Sequence, residues 1–88
     1  MPLTSDSIPR LWRLARLDYD PVRARRVLLY PEGAVLLNDT GAAILELCDG
    51  AHTVKQIIAI LTERYDADVS ADVTEYLHGM ADRELVRA

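Results

Sequence analysis

Hydrophobic and polar positions change period near Asn38, and the change separates an extended half from a helical one. From Arg10 to Asp20, Leu11, Ala15, Leu17 and Tyr19 share one parity while Trp12, Leu14, Arg16 and Asp18 share the other, an imperfect alternation that predicts a strand. Asp20-Pro21 opens a turn, and Arg25 to Tyr30 resumes the extended pattern. Tyr30-Pro31-Glu32-Gly33 then places Pro and Gly where a tight turn uses them, with Ala34-Val35-Leu36-Leu37 as a short third strand.

The second half reads as helices. Asp39 or Thr40 can cap the first one, and Asp49-Gly50 ends it, because Gly reaches the left-handed conformation without strain. Thr53 with Gln56 three residues on forms a capping box that restarts the chain as a second helix running to Asp66. Ser70 is the expected N-cap of a third, with Asp72 in the first turn where the helix dipole favours an anion. Val73, Leu77, Met80 and Ala81 make its apolar stripe, and Leu85-Val86 closes the chain as an apolar anchor. The predicted class is α+β, three antiparallel strands followed by three helices. Residues 1–8 are polar and expected to form a flexible tail, leaving 9–88 as a single domain.

Composition narrows the picture. The chain has 88 residues, half of them hydrophobic, with five aromatics and no Phe, so the core should be built from Leu, Ile, Val and Ala. One cysteine, Cys48, excludes an internal disulfide, and its place four residues after Ile44 on an apolar face predicts a buried structural thiol. No signal-peptide pattern and no membrane-length apolar run is present, so a cytoplasmic protein that engages no membrane is expected.

Charge is unevenly spread. Residues 1–37 carry six arginines against four carboxylates, and residues 38–88 carry four cations against ten, within a net charge of −4. Helices this acidic argue against docking on phosphate, since nucleic-acid affinity rests on cationic contacts. A winged-helix DNA-binding domain, suggested by the helix pair alone, would want a basic third helix. Ser70 to Ala88 instead sets Asp72, Glu75, Asp82 and Glu84 against Arg83 and Arg87.

Catalytic signatures are missing: there is no Gly-rich phosphate loop, nucleophile elbow or His-Glu-x-x-His pair. His52 and His78 have no partner spacing that suggests a metal and are expected to be surface or capping residues. Asp66-Ala67-Asp68-Val69-Ser70 imitates the start of a calcium loop, but Ala71 and Leu77 stand where Gly and Glu are required. No enzyme, cofactor or metal site is expected.

The strands hold a surplus of apolar residues. Val27-Leu28-Leu29-Tyr30 and Ala34 to Leu37 leave neither face polar. Such residues can pack inside, lie under the N-terminal segment, form a homodimer or receive an added strand along an edge, where main-chain bonds and side-chain pockets recognise an extended peptide.

Several stretches carry a resemblance. Thr40-Gly41-Ala42-Ala43-Ile44-Leu45-Glu46-Leu47-Cys48-Asp49-Gly50 with Thr53-Val54 and Ile57 resembles the signature of the PqqD family of pyrroloquinoline quinone biosynthesis. Pro9-Arg10-Leu11, Tyr19-Asp20-Pro21, Val27-Leu28-Leu29-Tyr30-Pro31-Glu32 and Leu85-Val86 fit as well, so the likeness runs from Pro9 to the end. Glu84 departs from the pattern, which has Gly before Leu-Val.

The resemblance implies a winged helix-turn-helix-like domain that acts as a peptide chaperone. It would bind the ribosomal precursor peptide PqqA by strand addition and present it to PqqE, a radical S-adenosylmethionine enzyme that links a Glu to a Tyr of the precursor. The same domain recurs as the recognition element of other pathways that modify ribosomally made peptides, which is the alternative pathway for this chain. Carried over by position, Ala34, Val35, Leu36 and Leu37 would form one wall of the peptide site. Val69, Val73, Tyr76, Leu77 and Met80 would line the other, with plain core packing as the competing role of Val73, Leu77 and Met80. Arg83 would face a carboxylate of the peptide.

Overall fold

In the computed structural model, which describes residues 3–88, the extended half is more divided than its alternation suggests. Strand β1 is Arg10–Leu11 and β2 is Arg16–Asp20, followed by β3 at Arg25–Tyr30 and β4 at Gly33–Leu36. The expected strand from Arg10 to Asp20 breaks because its beginning pairs elsewhere. Trp12 donates its backbone N–H to Leu85 and Leu11 donates to Cys48, after which Ala15 N–H closes a turn onto Trp12. The partner of β1 is a short strand at the end of the chain, β5 at Val86–Arg87. A three-stranded antiparallel sheet in the order β2-β3-β4 stands apart from this two-stranded ladder.

Both hairpins of the larger sheet are closed by local chemistry. Asp20 accepts the backbone N–H groups of Val22 and Arg23 at 3.0 and 3.3 Å and pairs with the Arg23 guanidinium at 2.9 Å. These bonds, that from the Arg23 side chain foremost, hold its carboxyl below the ordinary range. At the second hairpin Tyr30 pairs with Gly33, leaving Pro31 and Glu32 as the two turn residues.

Helix α1 spans Asp39–Glu46, α2 Val54–Tyr65 and α3 Ser70–Asp82. The cap of α1 is Asn38 rather than Asp39 or Thr40: its side chain accepts the Gly41 N–H at 2.7 Å from an extended backbone. The Thr53–Gln56 capping box forms as expected, with both reciprocal bonds present. Ser70 is not an N-cap but the first helical residue. Asp68 accepts both its N–H and its hydroxyl, at 2.9 and 2.6 Å, and a carboxylate is the stronger acceptor for that position. Asp66, suggested by the false calcium pattern, ends α2 in a left-handed conformation at φ 51°.

The helices cover one sheet face and supply the aliphatic core that the composition predicts. Leu28, Ile44, Leu45, Ile57, Leu61, Val73, Leu77 and Val86 are all essentially inaccessible. Leu17, Leu28 and Val35 stand side by side across the three strands as the row that meets the helices. Val27, Leu29, Ala34 and Leu36 belong to the other face, where Val27 is buried and Leu36 is 44 % exposed. The apolar surplus therefore divides: most of it packs inside, and a strip along β4 meets solvent.

Met1 and Pro2, part of the tail expected over residues 1–8, lie outside the described residues. From Leu3 onward the segment runs against α2, where Ser5 and Ser7 carbonyls accept the N–H groups of Lys55 and Val54. Those donors are among the ones a helix start leaves unpaired. Leu3 packs on the core and Pro9 is buried.

Candidate functional site

An edge strand and a helix face frame the site. The sheet order leaves the outer edge of β4 without a strand among the described residues, so its N–H and C=O groups are available to an extended chain. Tyr30 ends β3, and its hydroxyl lies against Gly33 at the start of β4. There it accepts a hydrogen bond from Arg83 Nη2 at 3.2 Å. That bond brings the C-terminal end of α3 to the start of the edge strand. At the other end of β4 the chain passes through Leu37 and Asn38 into α1, whose first turn meets Tyr76 of α3.

Between these contacts runs an open groove of about 580 Å³, lined from the α1 side by Asn38, Thr40, Gly41 and Ile44. Asp72, Glu75, Tyr76, Gly79, Met80 and Arg83 line it from α3. The α3 residues recur at helical spacing and form a single stripe, acidic at its N-terminal end and basic at its C-terminal end. Two glycines shape the floor. A Cβ on Gly41 would stand 2.8 Å from the Tyr76 hydroxyl, so the missing side chain is what lets the ring lie across α1. A Cβ on Gly79 would meet nothing within 4 Å, so the groove is open at this point. Tyr76 is half-buried, and this burial raises its phenol above the usual value, with the Arg83 charge acting weakly the other way.

The expected site residues separate on this geometry. Tyr76, Met80 and Arg83 line the groove, and Met80 does so while largely buried. Ala34 and Leu36 are exposed on the edge strand, whereas Val35 turns into the core row. Leu37, Val73 and Leu77 are core residues at 3 % exposure or less and offer no surface, so for Val73 and Leu77 the packing role holds. Val69 is half-buried against the core and not on the groove. Asn38, Thr40, Gly41, Ile44, Asp72, Glu75 and Gly79 were absent from the expected set. The α3 members could have been found by extending the stripe from Tyr76 and Arg83 in steps of three and four.

Other chemically capable groups are turned to structure. Cys48 Sγ donates to the Ile44 carbonyl at 3.4 Å, and burial pushes the thiol up to about 12. His52 Nδ1 lies 2.9 Å from Asp49, whose carboxyl is held low by the Ala51 N–H and, next, by His52. His78 Nε2 is 3.2 Å from the Leu3 carbonyl. Among the described residues no three His, Cys, Asp or Glu side chains gather as metal ligands, and no helix is long and apolar enough to cross a membrane.

The chain is similar to known proteins in sequence and in fold. A protein from Methylococcus capsulatus (strain Bath) named PqqA binding protein is 41 % identical over 88 residues, covering 99 % of this chain and 95 % of the relative. Another of the same name, from Azotobacter vinelandii, is 41 % identical over 85 residues, covering 94 % and 92 %. The solution structure of the PqqD truncation of Methylobacterium extorquens PqqCD matches with a TM-score of 0.83 at 40 % identity, over 98 % of this chain and 95 % of that one. That truncation is described as a functional, stand-alone recognition element for ribosomally synthesized and post-translationally modified peptides. Residues 25–86 match the family described as coenzyme PQQ synthesis protein D, which takes in the second hairpin strand, β4, all three helices and the groove. This chain belongs to the PqqD family.

Proposed function

We propose that this protein binds the precursor peptide PqqA as an added strand on β4 and presents it to PqqE, in the cytoplasm and without catalysis of its own. The observation that carries the reading is the unpaired edge of β4, whose two ends lead to groove residues, Arg83 through the Tyr30 hydroxyl at Gly33 and Asn38 just past Leu36, while no β4 residue lines the groove itself. Main-chain hydrogen bonds along Gly33 to Leu36 hold an extended peptide, and its side chains on one face enter the groove over Tyr76 and Met80. Arg83 is placed to meet a peptide carboxylate. Names of relatives support the peptide: two that this chain covers almost completely are PqqA binding proteins.

Magnitudes bound the affinity. About four strand hydrogen bonds at roughly 1 kcal/mol each and two or three buried apolar side chains at about 2 kcal/mol each are offset by several kcal/mol of ordering. A dissociation constant near micromolar is the tight limit of these terms.

The test is a 15N NMR titration with PqqA. Amides of Gly33 to Leu37 and of Tyr76 to Arg83 should shift at tens of micromolar peptide. No shift at that concentration, or shifts confined to α2, would sink the reading. An unrelated leader peptide that binds equally well would instead favour a recognition element for a different modified peptide. A homodimer would use the same free edge, so mass measured across a dilution series, with and without peptide, separates self-pairing from peptide capture.

A further inference from the structure

Among the described residues three arginines pair with carboxylates and two more bond to groups at the sheet. Arg23 pairs with Asp20, Arg16 with Asp18 and Arg26 with Glu46, while Arg25 donates to the Leu37 carbonyl and Arg83 to Tyr30. Three others gather at the β1–β5 ladder: Arg10, Arg13 and Arg87 have no carboxylate within 4.0 Å among the described residues, and Arg87 Nε donates only to the Glu84 backbone carbonyl at 3.3 Å. Arg10 and Arg87 stand directly opposite each other in that ladder, an arrangement of like charges that weakens a strand pair. Asp49 bridges to Arg10 through the backbone, yet turns its carboxylate to Ala51 and His52. Asp6 and Glu84 line the neighbouring cleft with Arg87 and form no ion pair with it.

An aromatic sits among these charges. The Arg87 guanidinium lies 5.4 Å from the centre of the half-buried Trp12 ring. Arg10, Leu11, Trp12, Arg13 and Arg87 line a shallow recess of about 380 Å³ that shares no residue with the β4 groove. Arg and Trp around a partly desolvated apolar centre are the residues that carry binding energy at protein interfaces. We propose that this recess docks a carboxylate-rich surface of the peptide-modifying enzyme while the β4 groove holds the peptide. The proposal rests on the presentation reading above and assigns it a second surface.

Charge and shape select that occupant. A nucleic acid would present phosphates to a molecule of net charge −4, and three guanidiniums in one small recess are too few to offset the acidic helices. A second copy of the chain would have to bring its acidic helices to the recess, a head-to-tail contact that builds rings or filaments and not the common two-fold dimer. A folded partner supplies matching carboxylates over a small area together with an apolar group for Trp12. Separation of the two surfaces allows both to be filled at once.

The experiment titrates PqqE, as the probe, into the PqqA-loaded protein at about 50 mM and about 300 mM salt. It compares the wild type with Arg10→Glu/Arg13→Glu and with the milder Arg10→Gln/Arg13→Gln. Both arginines are exposed, so the variants leave core and groove intact. Expected is a loss of enzyme affinity of about ten-fold or more for the charge reversal and a smaller loss for the neutral pair, with the wild-type affinity falling at high salt. PqqA affinity of the neutral pair stays within about two-fold of wild type. Enzyme binding unchanged in either variant overturns the recess and leaves presentation standing. A wild type that binds PqqA but never PqqE overturns both. Salt-reversible self-association of the wild type, abolished by the variants, assigns the recess to a second copy and likewise overturns the proposal.

Discussion

Glu84 holds a backbone conformation that its side chain disfavours. Its φ of 61° lies in the left-handed region, entered just past α3 where the Glu84 N–H reaches Ala81 and the Leu85 N–H reaches Met80. A Cβ there costs on the order of 1 kcal/mol that glycine avoids. The family pattern expects Gly at this position, and the geometry supplies the reason. Glu84→Gly should raise stability by about 0.5–1 kcal/mol, partly offset by the extra freedom of Gly in the unfolded chain. A urea midpoint that falls would show that the Glu side chain makes a stabilising contact. Cys48 makes the opposite case: it lies past the end of α1 and not on the expected helix face, yet its spacing from Ile44 was sufficient to read it as buried. With its thiol held up to about 12 by burial, it should resist iodoacetamide at pH 8 until the protein is unfolded. Rapid labelling of the folded protein would contradict that burial.

At the scale of elements, what was legible depends on how far away the partner lies. The Thr53–Gln56 box is self-contained within one turn, so two residues sufficed to find it. At the start of α1 three successive cap-forming residues compete, Asn38, Asp39 and Thr40, and the choice is made by tertiary structure. Burial of Leu37 fixes where the chain leaves the sheet, and Asn38 then faces the Gly41 N–H. The break between β1 and β2 was not readable because the partner of Arg10–Leu11 is Val86–Arg87, at the far end of the chain. On the groove, Tyr76, Arg83 and the position of Gly79 were within reach of a helical stripe, while Gly41 lies on another helix and acts by lacking a side chain, which leaves no pattern. Gly79→Ala should therefore separate two properties. Alanine in the interior of α3 raises stability by about 0.5–1 kcal/mol, and its methyl enters free space, since nothing lies within 4 Å. Gly79 lines the groove, so if the peptide passes over it PqqA affinity should fall while the melting temperature rises. Affinity that is unchanged or improved would remove Gly79 from the peptide site.

The turns between elements share one acid-sensitive device. Asp20, Asp49 and Asp68 each accept a backbone N–H at a turn or helix start, and each has its carboxyl lowered from 3.8. The leading cause is the Arg23 side chain for Asp20, the Ala51 N–H for Asp49 and the Ser70 hydroxyl for Asp68. A group whose folded pKa is depressed contributes stability above its unfolded value and loses it as the pH falls through the folded one. The unfolding midpoint should be level from neutral pH down to about 5 and decline below about 4. Replacing the three residues with Asn should flatten that decline. A variant as acid-sensitive as the wild type would place the dependence on other carboxylates.

On the scale of the whole molecule, the N-terminal segment bears on how much of the chain folds as one unit. A polar, Ser-containing composition made residues 1–8 read as a tail, because the Thr4–Ser7 stretch holds no apolar residue between Leu3 and Ile8. Their role is carried by backbone carbonyls, which have no sequence signature. Ser7 and Ser5 accept the first N–H groups of α2, while the side chain of Leu3 lies over a small cleft with Val54, Ile58 and Leu77 on its walls. Water can replace the two hydrogen bonds at little cost, since α2 keeps its capping box, but it cannot replace the apolar contact. Removing residues 1–7 should then cost about 1–3 kcal/mol, most of it from the exposed side chains. Pro9 and the β1–β5 ladder stay in place, so the truncated protein should still fold and still bind PqqA at the distant β4 edge. The check is a urea titration paired with the NMR titration on the shortened chain. An unchanged midpoint would return the segment to a true tail, and loss of peptide binding at a retained fold would make it part of the site.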